Sequence, residues 1–417
     1  MTATDRTASP PTAPPHDSPP PQAGVPSPTA PPHDPPPPQA GVPSPTAPPH
    51  DPPPPQAVPL RTATSPLDSA DLRSRVRGVI DDFLSAQRDV LAEVSDDCAP
   101  LERYVADLMG GGKRLRPAFC YWAWRAAGAP DGPGIVAAAT SLEFLQAAAL
   151  IHDDIMDDSD TRRGAPAVHR RLAALHSGGR WAGDADHFGL SAAVLAGDLC
   201  LTWSDALYSG SGLHPSALAR GRPVFDRMRT QLMGGQYLDL LDQARPSRGG
   251  VDRARRVVHF KSAKYTVEHP LLLGARLAGA DDDLLARLSA FGLPLGEAFQ
   301  LRDDLLGVFG DAAQTGKPTG DDLREGKRTT LVILAADRAT APQQAALTAL
   351  LGDRGLTGAG VDTLRQIIVD TGARAEVERM IEQLLATSLG VLSGTPVDEA
   401  ARSVLLALAE AATARSS

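Results

Sequence analysis

Residues 142–158 read LEFLQAAALIHDDIMDD, an apolar stretch that ends in a dense group of carboxylates. Residues 295–307 read LGEAFQLRDDLLG and repeat this arrangement. Either cluster alone is open to interpretation as a solvated acidic turn, but acidic runs rarely follow such apolar stretches twice. Because buried carboxylates without partners are costly, the clusters predict bound cations. The clusters themselves, DDIMD and DDLLG, offer oxygen ligands and contain no Cys or His. Such ligands favour a hard ion such as Mg2+, which suggests an enzyme that handles phosphate groups.

The spacing of the aspartates predicts how the two stretches are arranged. On a helix, Asp153 and Asp157 lie one turn apart on the same face, whereas Asp154 is rotated by about 100° and points aside. If the second helix faces the first, Asp303 and Asp304 complete the cluster from the opposite wall of a bundle. The pattern thus predicts facing helices around a metal cluster.

The remaining periodicity predicts an all-α fold. Apolar residues recur at i, i+3, i+4 and i+7 over residues 71–94, 135–157, 191–208 and 284–309. No stretch shows the sustained alternation of β-branched residues that is typical of strands.

The first 66 residues have a different composition. Of the 38 prolines, 24 fall within the first 60 positions, and TAPPHD begins at Thr12, Thr29 and Thr46. Such a segment cannot bury a core, so we predict a disordered, proline-rich repeat tail over residues 1–66 and one folded domain over residues 67–417. The histidines of the repeats are interpreted as solvated residues, the alternative being a metal-binding array: His16, His33 and His50.

Charge and composition exclude several classes of partner. The net charge of −9 disfavours nucleic acid and anionic membrane surfaces. We find no signal or transit peptide and no run of eighteen apolar residues, so no membrane span is expected. The cysteines, Cys98, Cys120 and Cys200, are unclustered and odd in number, which favours a reduced compartment and a cytoplasmic location.

Basic residues are concentrated at a few places in this acidic chain. They occur in GGKRLRP at residues 111–117, TRRG at 161–164, HFKSAK at 259–264 and GKPTGDDLREGK at 316–327. Basic groups of this kind beside buried carboxylates suit diphosphates that are bridged by metal ions.

From about residue 70 to the end, the chain resembles the trans-isoprenyl diphosphate synthases of the polyprenyl synthetase family. Five motifs occur in the family's order: GGKRLRP, DDIMDDSDTRRG, GGQYLDL, HFKSAKYT and GEAFQLRDD. The resemblance implies the isoprenoid synthase helical bundle around a central apolar cavity, and a homodimer. It further implies a prenyltransferase that joins isopentenyl diphosphate to an allylic diphosphate, with three Mg2+ ions per active site and Mn2+ as a substitute.

The resemblance also implies roles for single residues. The implied metal ligands are Asp153, Asp157 and Asp303, with Asp239 acting through bound water. The implied contacts of isopentenyl diphosphate are Lys113, Arg116, Gln146 and Arg163. The implied contacts of the allylic substrate are Arg162, Lys261 and Ser262 at its diphosphate and Gln300 near the allylic carbon. Of these, Arg162, Lys261 and Gln300 are the expected catalytic residues. Lys317 and Lys327 fall in a loop that closes over both diphosphates in the family.

One position departs from the family pattern. Gly307 stands where the strict DDxxD motif has its last Asp. With one carboxylate fewer on this helix, we expect weaker metal affinity and retained activity, with an inactive paralogue as the alternative.

The prenyl chain is expected to grow along the helix before Asp153. Ala148 and Ala149 lie one turn upstream, where relatives that stop at fifteen carbons carry bulky aromatics, and Phe144 and Leu145 lie one turn deeper. A helical turn of about 5.4 Å is close to one isoprene unit. We therefore predict mainly geranylgeranyl diphosphate, with farnesyl or longer polyprenyl diphosphates as alternatives.

Two other functions fit part of the pattern. A class I terpene cyclase also uses DDxxD in a helical bundle, but its second metal motif carries Asn, Ser and Glu, where this chain has DDLLG. Such an enzyme has no use for a second diphosphate site, which Lys113, Arg116 and Arg163 suggest. A non-catalytic synthase subunit is the other alternative, and the retained first motif argues against it.

Overall fold

The computed structural model describes residues 65–245, 250–310 and 320–414. These residues are almost entirely helical, so the predicted all-α class is confirmed. The repeats of the predicted tail, with their histidines, and Lys317 lie outside the described residues.

Sixteen α-helices and one π-helix form the described part of the chain. The α-helices before the π-helix are α1 (Leu72–Val94), α2 (Ala99–Met109), α3 (Leu115–Ala126), α4 (Pro133–Met156), α5 (Val168–Gly178), α6 (Ala185–Ser209), α7 (Pro215–Ala244) and α8 (Val251–Val257). The π-helix spans Val258–Glu268. It is followed by α9 (His269–Ala278), α10 (Asp282–Phe309), α11 (Asp321–Arg324), α12 (Thr330–Arg338), α13 (Ala341–Leu350), α14 (Gly358–Asp370), α15 (Ala373–Ser393) and α16 (Glu399–Thr413). Short 3₁₀ turns precede α1 and α2 at Pro66–Asp71 and Asp96–Cys98.

Local sequence signals set the ends of the long helices. The Asp184 carboxylate accepts a hydrogen bond from the His187 amide at the start of α6, at 2.7 Å. Asp281 caps α10 in the same way through the Leu284 amide, at 2.9 Å. Each cap satisfies an amide that the helix leaves without an intrahelical partner. Proline stands in the first turn of α4 and α7, where its missing N–H costs nothing.

Helix α4, which carries the first acidic cluster, lies at the centre of the main core. It packs against α6 along most of its length and also against α1, α3 and α5. Near its middle, the Phe144 ring meets Phe83 edge to face, with 5.0 Å between centroids, and Trp203 at 6.3 Å. Because neighbours surround α4, its apolar residues cover nearly the whole circumference instead of one stripe.

The π-helix is held between α7 and α10 by glycines on both sides. A Cβ on Gly235 of α7 would lie 2.5 Å from the Lys261 amide nitrogen, and one on Gly296 of α10 would lie 2.5 Å from the Ala263 carbonyl oxygen. Only glycine allows such close backbone contact. Since π-helical turns often occur at functional sites, this packing positions Lys261 and Ser262 for chemistry.

A second core forms around the last turns of α10. Leu301, Leu305 and Val308 pack against side chains of α12, α14 and α15. This core joins the C-terminal helices to the helix that carries the second acidic cluster.

A two-stranded ribbon departs from the all-helical pattern. Thr161–Arg162 and Ala165–Pro166 pair in antiparallel fashion. The two residues between them, Arg163 and Gly164, both have positive φ, 55° and 76°, as a tight type I′ hairpin turn requires. This turn holds the two arginines of the TRRG motif.

Two described helices, α4 and α6, are long and apolar enough to cross a bilayer by length and composition alone. Neither helix contains eighteen consecutive apolar residues, so the sequence alone did not indicate them. The apolar window of α4 is 72% buried inside the fold and that of α6 39%. Core helices of soluble proteins have the same character, so the expected absence of a membrane span stays a prediction.

Candidate active site

The motif residues converge on one cavity of about 530 Å3. Acidic and basic side chains both line it. The predicted site residues on its wall are Lys113, Arg116, Gln146, Asp153, Arg162, Arg163, Asp239, Lys261, Ser262, Gln300, Asp303 and Lys327. Asp157 lies just behind the wall, where Lys327 contacts it.

Asp153 is the centre of the charge network. Its Oδ1 accepts hydrogen bonds from Gln236, at 2.9 Å, and from the Lys261 ammonium, at 3.1 Å. Lys261 also reaches the Asp239 carboxylate at 2.7 Å. Burial alone would raise the pKa of Asp153, but Lys261, Lys327 and Arg162 outweigh it and hold that pKa well below its usual range. The carboxylate is therefore ionised throughout the neutral range.

Asp154 has a partner that the sequence analysis missed. It is buried, and it accepts hydrogen bonds from Nε of Arg162, at 2.8 Å, and from Nη2 of the same guanidinium. Both N–H groups point to Oδ1, so this one carboxylate oxygen anchors the guanidinium from two sides. Asp154 thus points aside from Asp153, as expected, and orients the arginine expected at the allylic diphosphate.

Asp157 is held from the opposite side by the loop before α12. The Lys327 ammonium lies 3.2 Å from Oδ2 of Asp157 and 2.6 Å from Glu325. Arg354, which no motif singles out, donates to the Asp157 carbonyl oxygen at 2.8 Å. Burial raises the pKa of Asp157, and Lys327 opposes that rise.

The outer aspartates of the first motif, Asp158 and Asp160, are exposed and lie outside the cavity. Both pair with Arg170, at 2.9 and 2.8 Å, and Asp158 also pairs with Arg354 at 2.8 Å. The hairpin turns Arg162 and Arg163 inward, so the exposed acids contact the cations of neighbouring segments.

The second acidic cluster is harder to ionise. The Asp303 carboxylate faces the cavity. Its enclosure by the protein removes solvent and raises its pKa to about 6, although Lys113 opposes that rise. Burial, with Asp322 and Asp303 adding repulsion, raises the pKa of Asp304 to about 8 against the hydrogen bond from Gln300, at 2.8 Å. This wall therefore favours the arrival of a cation.

Gly307 lies directly against Asp322 of α11. A Cβ at position 307 would lie 1.9 Å from Oδ2 of Asp322. Both residues line the cavity. The carboxylate that the DDLLG motif lacks is thus replaced in space by one from α11.

A further group of basic side chains lines the same cavity. The Arg116 guanidinium lies over the Tyr265 ring at 4.2 Å and donates to Thr266 at 2.8 Å. The Tyr265 hydroxyl donates to the Gln146 side-chain oxygen at 2.7 Å, which leaves the amide NH₂ of Gln146 to donate into the cavity. Together with Lys113, these groups form a site for an anion.

The glycine-rich turn is fixed by two arginines. Arg163 donates to the Leu108 and Gly111 carbonyl oxygens, the latter at 2.8 Å. Arg114, in a left-handed backbone conformation, is buried with Glu143 of α4 and also donates to the Met109 carbonyl oxygen. The sequence analysis passed over Arg114 and Glu143, although a glutamate inside an apolar helix is a signal that a buried cation is near.

The carboxylates suit Mg2+ that is shared with a ligand. No three of the described carboxylate, His and Cys residues are arranged as a ready-made metal site. Within the described part of the chain, Oδ1 of Asp157 and Oδ2 of Asp304 are buried without a hydrogen-bond partner, while Oδ2 of Asp157 meets only the Lys327 ammonium, at 3.2 Å. Mg2+ is typically held by one or two carboxylates plus phosphate oxygens, so this donor set fits the ion when a diphosphate completes it.

A second, apolar cavity of about 270 Å3 adjoins the acidic cluster. Gln236 lines it and also contacts Asp153, so the two spaces are neighbours. Of the predicted chain-length residues, Ala149 lies on its wall. Phe144, Leu145 and Ala148 are fully buried in the main core instead.

Known proteins resemble this chain over most of its folded part. The family model described as polyprenyl synthetase matches residues 99–368. A geranylfarnesyl diphosphate synthase of Aeropyrum pernix is 32% identical over 310 residues, 72% of this chain and 89% of the relative. A geranylgeranyl diphosphate synthase of Methanosarcina mazei is 32% identical over 64% of this chain and 74% of its own.

Solved structures resemble this chain as well. A geranylgeranyl pyrophosphate synthase of Corynebacterium glutamicum, complexed with isoprenyl diphosphate and magnesium, is 41% identical with a TM-score of 0.80. The match covers 82% of this chain and 98% of that one.

The contact between Gly307 and Asp322 makes a testable prediction. Gly307→Ala should rotate the Asp322 carboxylate away and weaken Mg2+ binding in the presence of inorganic pyrophosphate by roughly tenfold, the scale of lost outer-shell partners. Asp322→Asn should have a similar effect, and the double variant should be no worse than either, because both changes remove one carboxylate. Titration calorimetry measures all three.

Gly390→Ala is the matched control, since nothing lies within 4 Å of a Cβ at that helical position. Additive losses in the double variant would contradict the replacement of the missing carboxylate by Asp322.

Proposed function

Because the chain belongs to the polyprenyl synthetase family, we propose that its cavity joins isopentenyl diphosphate to an allylic diphosphate, mainly to give geranylgeranyl diphosphate. The chain is a trans-prenyltransferase, and prenyl diphosphates are its substrates. One observation carries the assignment of the site. Lys261 bridges Asp153 and Asp239 on the wall of a cavity that Lys113, Arg116 and Arg163 also line.

Two anion sites in one cavity favour condensation over cyclisation. We place Arg116 and Lys113 on one wall and Lys261 and Arg162 on the other, because Arg116 contacts Tyr265 and Thr266 whereas Lys261 and Arg162 both contact Asp153. A cyclase ionises one diphosphate and needs one such site. We assign the first wall, with Gln146 and Arg163, to isopentenyl diphosphate, and the second to the allylic substrate.

The chemical step follows from these positions. The allylic C–O bond breaks and its electron pair leaves with pyrophosphate, towards the cations of Lys261 and Arg162. The double bond of isopentenyl diphosphate then attacks the allylic carbon, and a proton lost from the adjacent carbon passes to the departed pyrophosphate. Fixed cations stabilise this charge without reorganisation because Asp153, Asp154 and Asp239 already orient them.

Bound Mg2+, which we assign to Asp153, Asp157 and Asp303 with Asp239 acting through water, would neutralise the charge that develops on the leaving diphosphate. Three ions per site and substitution by Mn2+ remain part of the proposal. Ser262 and Gln300 complete the allylic wall. Lys327 already contacts Asp157, which suits a loop that closes over the diphosphates, and we give Lys317 the same role.

Product length follows from the apolar cavity beside Asp153. Because Ala149 contributes only a methyl group to its wall, the growing chain can pass this point. Phe144 packs between Phe83 and Trp203, which places its ring in the core and not across the cavity. Leu145 and Ala148 then support the wall from behind.

We also propose a cytoplasmic homodimer. Val194 and Leu195 of α6 and Met233 and Tyr237 of α7 are apolar and between 41% and 61% exposed. Val194 and Met233 line the same apolar cavity, so the two helices present one continuous face. A second copy on this face would also close the outer wall of that cavity.

Two substitutions of the proposed metal ligands test the reaction. Asp153→Ala and Asp303→Ala should each lower turnover by roughly two to three orders of magnitude, the scale of a lost main electrostatic contact. Asp160→Ala is the control, because this exposed acid of the same motif pairs only with Arg170 among the described residues. Turnover near the wild-type rate in folded Asp153 and Asp303 variants would remove the metal-cluster assignment.

A second prediction concerns product length. Ala149→Phe should fill the apolar cavity and shift the product towards farnesyl diphosphate, while Ala149→Val should give a mixture. Ala148→Phe should destabilise the core by about 1–3 kcal/mol of overpacking instead. Mass spectrometry of the products decides. Unchanged chain length in Ala149→Phe would show that the chain grows elsewhere.

A charged residue at the centre of the proposed interface tests the homodimer. Leu195→Asp should convert the protein to monomers in sedimentation experiments, because a carboxylate would be buried without a partner. Val90→Asp, at a position of α1 with 52% exposure, should leave the assembly unaltered. A dimer that tolerates Leu195→Asp would place the interface on another face.

A further inference from the structure

An open cavity of about 680 Å3 lies behind the π-helix, and the proposed reaction does not use it. We call it the rear cavity. Its walls come from α7, the π-helix, α9 and the start of α10. Apolar side chains such as Val224, Leu272 and Leu285 form much of the surface. The cavity can therefore hold a hydrocarbon chain.

The lining of the rear cavity is rich in basic residues in a protein whose net charge is −9. Four cations line it: Arg220, Arg227, Lys264 and Arg276. Arg276 pairs with Asp282 at 2.6 Å, and Arg220 donates to backbone carbonyl oxygens at the end of α9. Arg227 has no ion pair within the described part of the chain. Its charge is free to meet a ligand.

Lys264 is held in place by a buried carboxylate. Its ammonium lies 2.6 Å from Glu268, which is buried and also accepts a hydrogen bond from Ser289 at 2.6 Å. The Lys264 carbonyl oxygen lies 3.0 Å from Nδ1 of the buried His269. Lys264 is thus fixed between a buried carboxylate and the cavity. A cation oriented in advance binds an anion with little loss of side-chain entropy.

We propose that the rear cavity binds an amphipathic anion, with a phosphate or diphosphate head on Arg227 and Lys264 and an apolar chain against Val224, Leu272 and Leu285. Charge at one end and hydrocarbon along the rest match the two kinds of surface. A soluble prenyl diphosphate and the head group of an anionic lipid share this chemistry.

The π-helix joins this site to the reaction. Lys261 contacts Asp153 and Asp239 in the active site, and Lys264, three residues later, faces the rear cavity. A head group on Lys264 competes with Glu268 for the ammonium and so acts on the helix that positions Lys261. Such coupling is reciprocal, and we expect allylic substrate and rear ligand to change each other's affinity by about 5-fold or more.

Calorimetric titration of the full chain with decyl phosphate, below its micelle concentration and in EDTA, tests the site. Arg227→Glu should weaken binding at least tenfold. Arg103→Glu, at an exposed arginine of α2 outside the rear cavity, should leave it unaltered. Decanol and inorganic phosphate should each bind at least tenfold more weakly than decyl phosphate, because each lacks one half of the recognised chemistry.

Two outcomes would overturn the proposal. One is equal affinity in Arg227→Glu and the wild type. The other is a loss of binding in Arg116→Glu alone, which would place decyl phosphate in the active site. Since Arg227 lies outside the catalytic machinery, neither outcome bears on the prenyltransferase assignment.

Vesicles distinguish the two sources of the anion. Binding to phosphatidylglycerol vesicles, but not to phosphatidylcholine vesicles, that is lost in Arg227→Glu identifies a lipid head group. Binding of decyl phosphate without vesicle binding identifies a soluble prenyl diphosphate. Either result supports the same site.

Discussion

Carboxylates gathered inside a protein must be matched by cations, and much of this structure meets that requirement. Lys261 of the π-helix and Arg162 of the hairpin surround Asp153, while Lys327 reaches Asp157 from the loop before α12. These cations come from segments far apart in the chain. A buried charge that loses its partner is strongly destabilising, so the acidic cluster ties those segments to α4 as well as preparing a site for diphosphates.

The sequence predicted the parts of the site that lie within the motifs. Helical periodicity indicated the bundle, and the aspartates at Asp153 and Asp303 were expected to face one cavity, as they do. The partners that the motifs do not contain were missed. Glu143 and Arg114 meet through the packing of α4 against the glycine-rich turn, and Asp322 reaches Gly307 from α11. Such contacts depend on tertiary packing, which local patterns do not report.

The residues proposed to set product length show the same limit on a finer scale. Spacing along α4 correctly placed alanines one turn before Asp153. It did not distinguish between them, because helical periodicity indicates which residues share a face but not what that face meets. The neighbours decide: Ala149 lies on the wall of the apolar cavity, whereas Ala148 is enclosed in the core.

The π-helix has a consequence for how this chain can vary in length. Its hydrogen bonds span five residues, one more than in an α-helix. Gly235 and Gly296 pack closely against its backbone on both sides. Removing one residue between Val258 and Glu268 would favour ordinary α-helical bonding and rotate everything beyond the deletion by about 100°. Lys261 and Lys264 would then no longer face opposite cavities. Insertions and deletions should therefore be far less tolerated here than substitutions of exposed side chains.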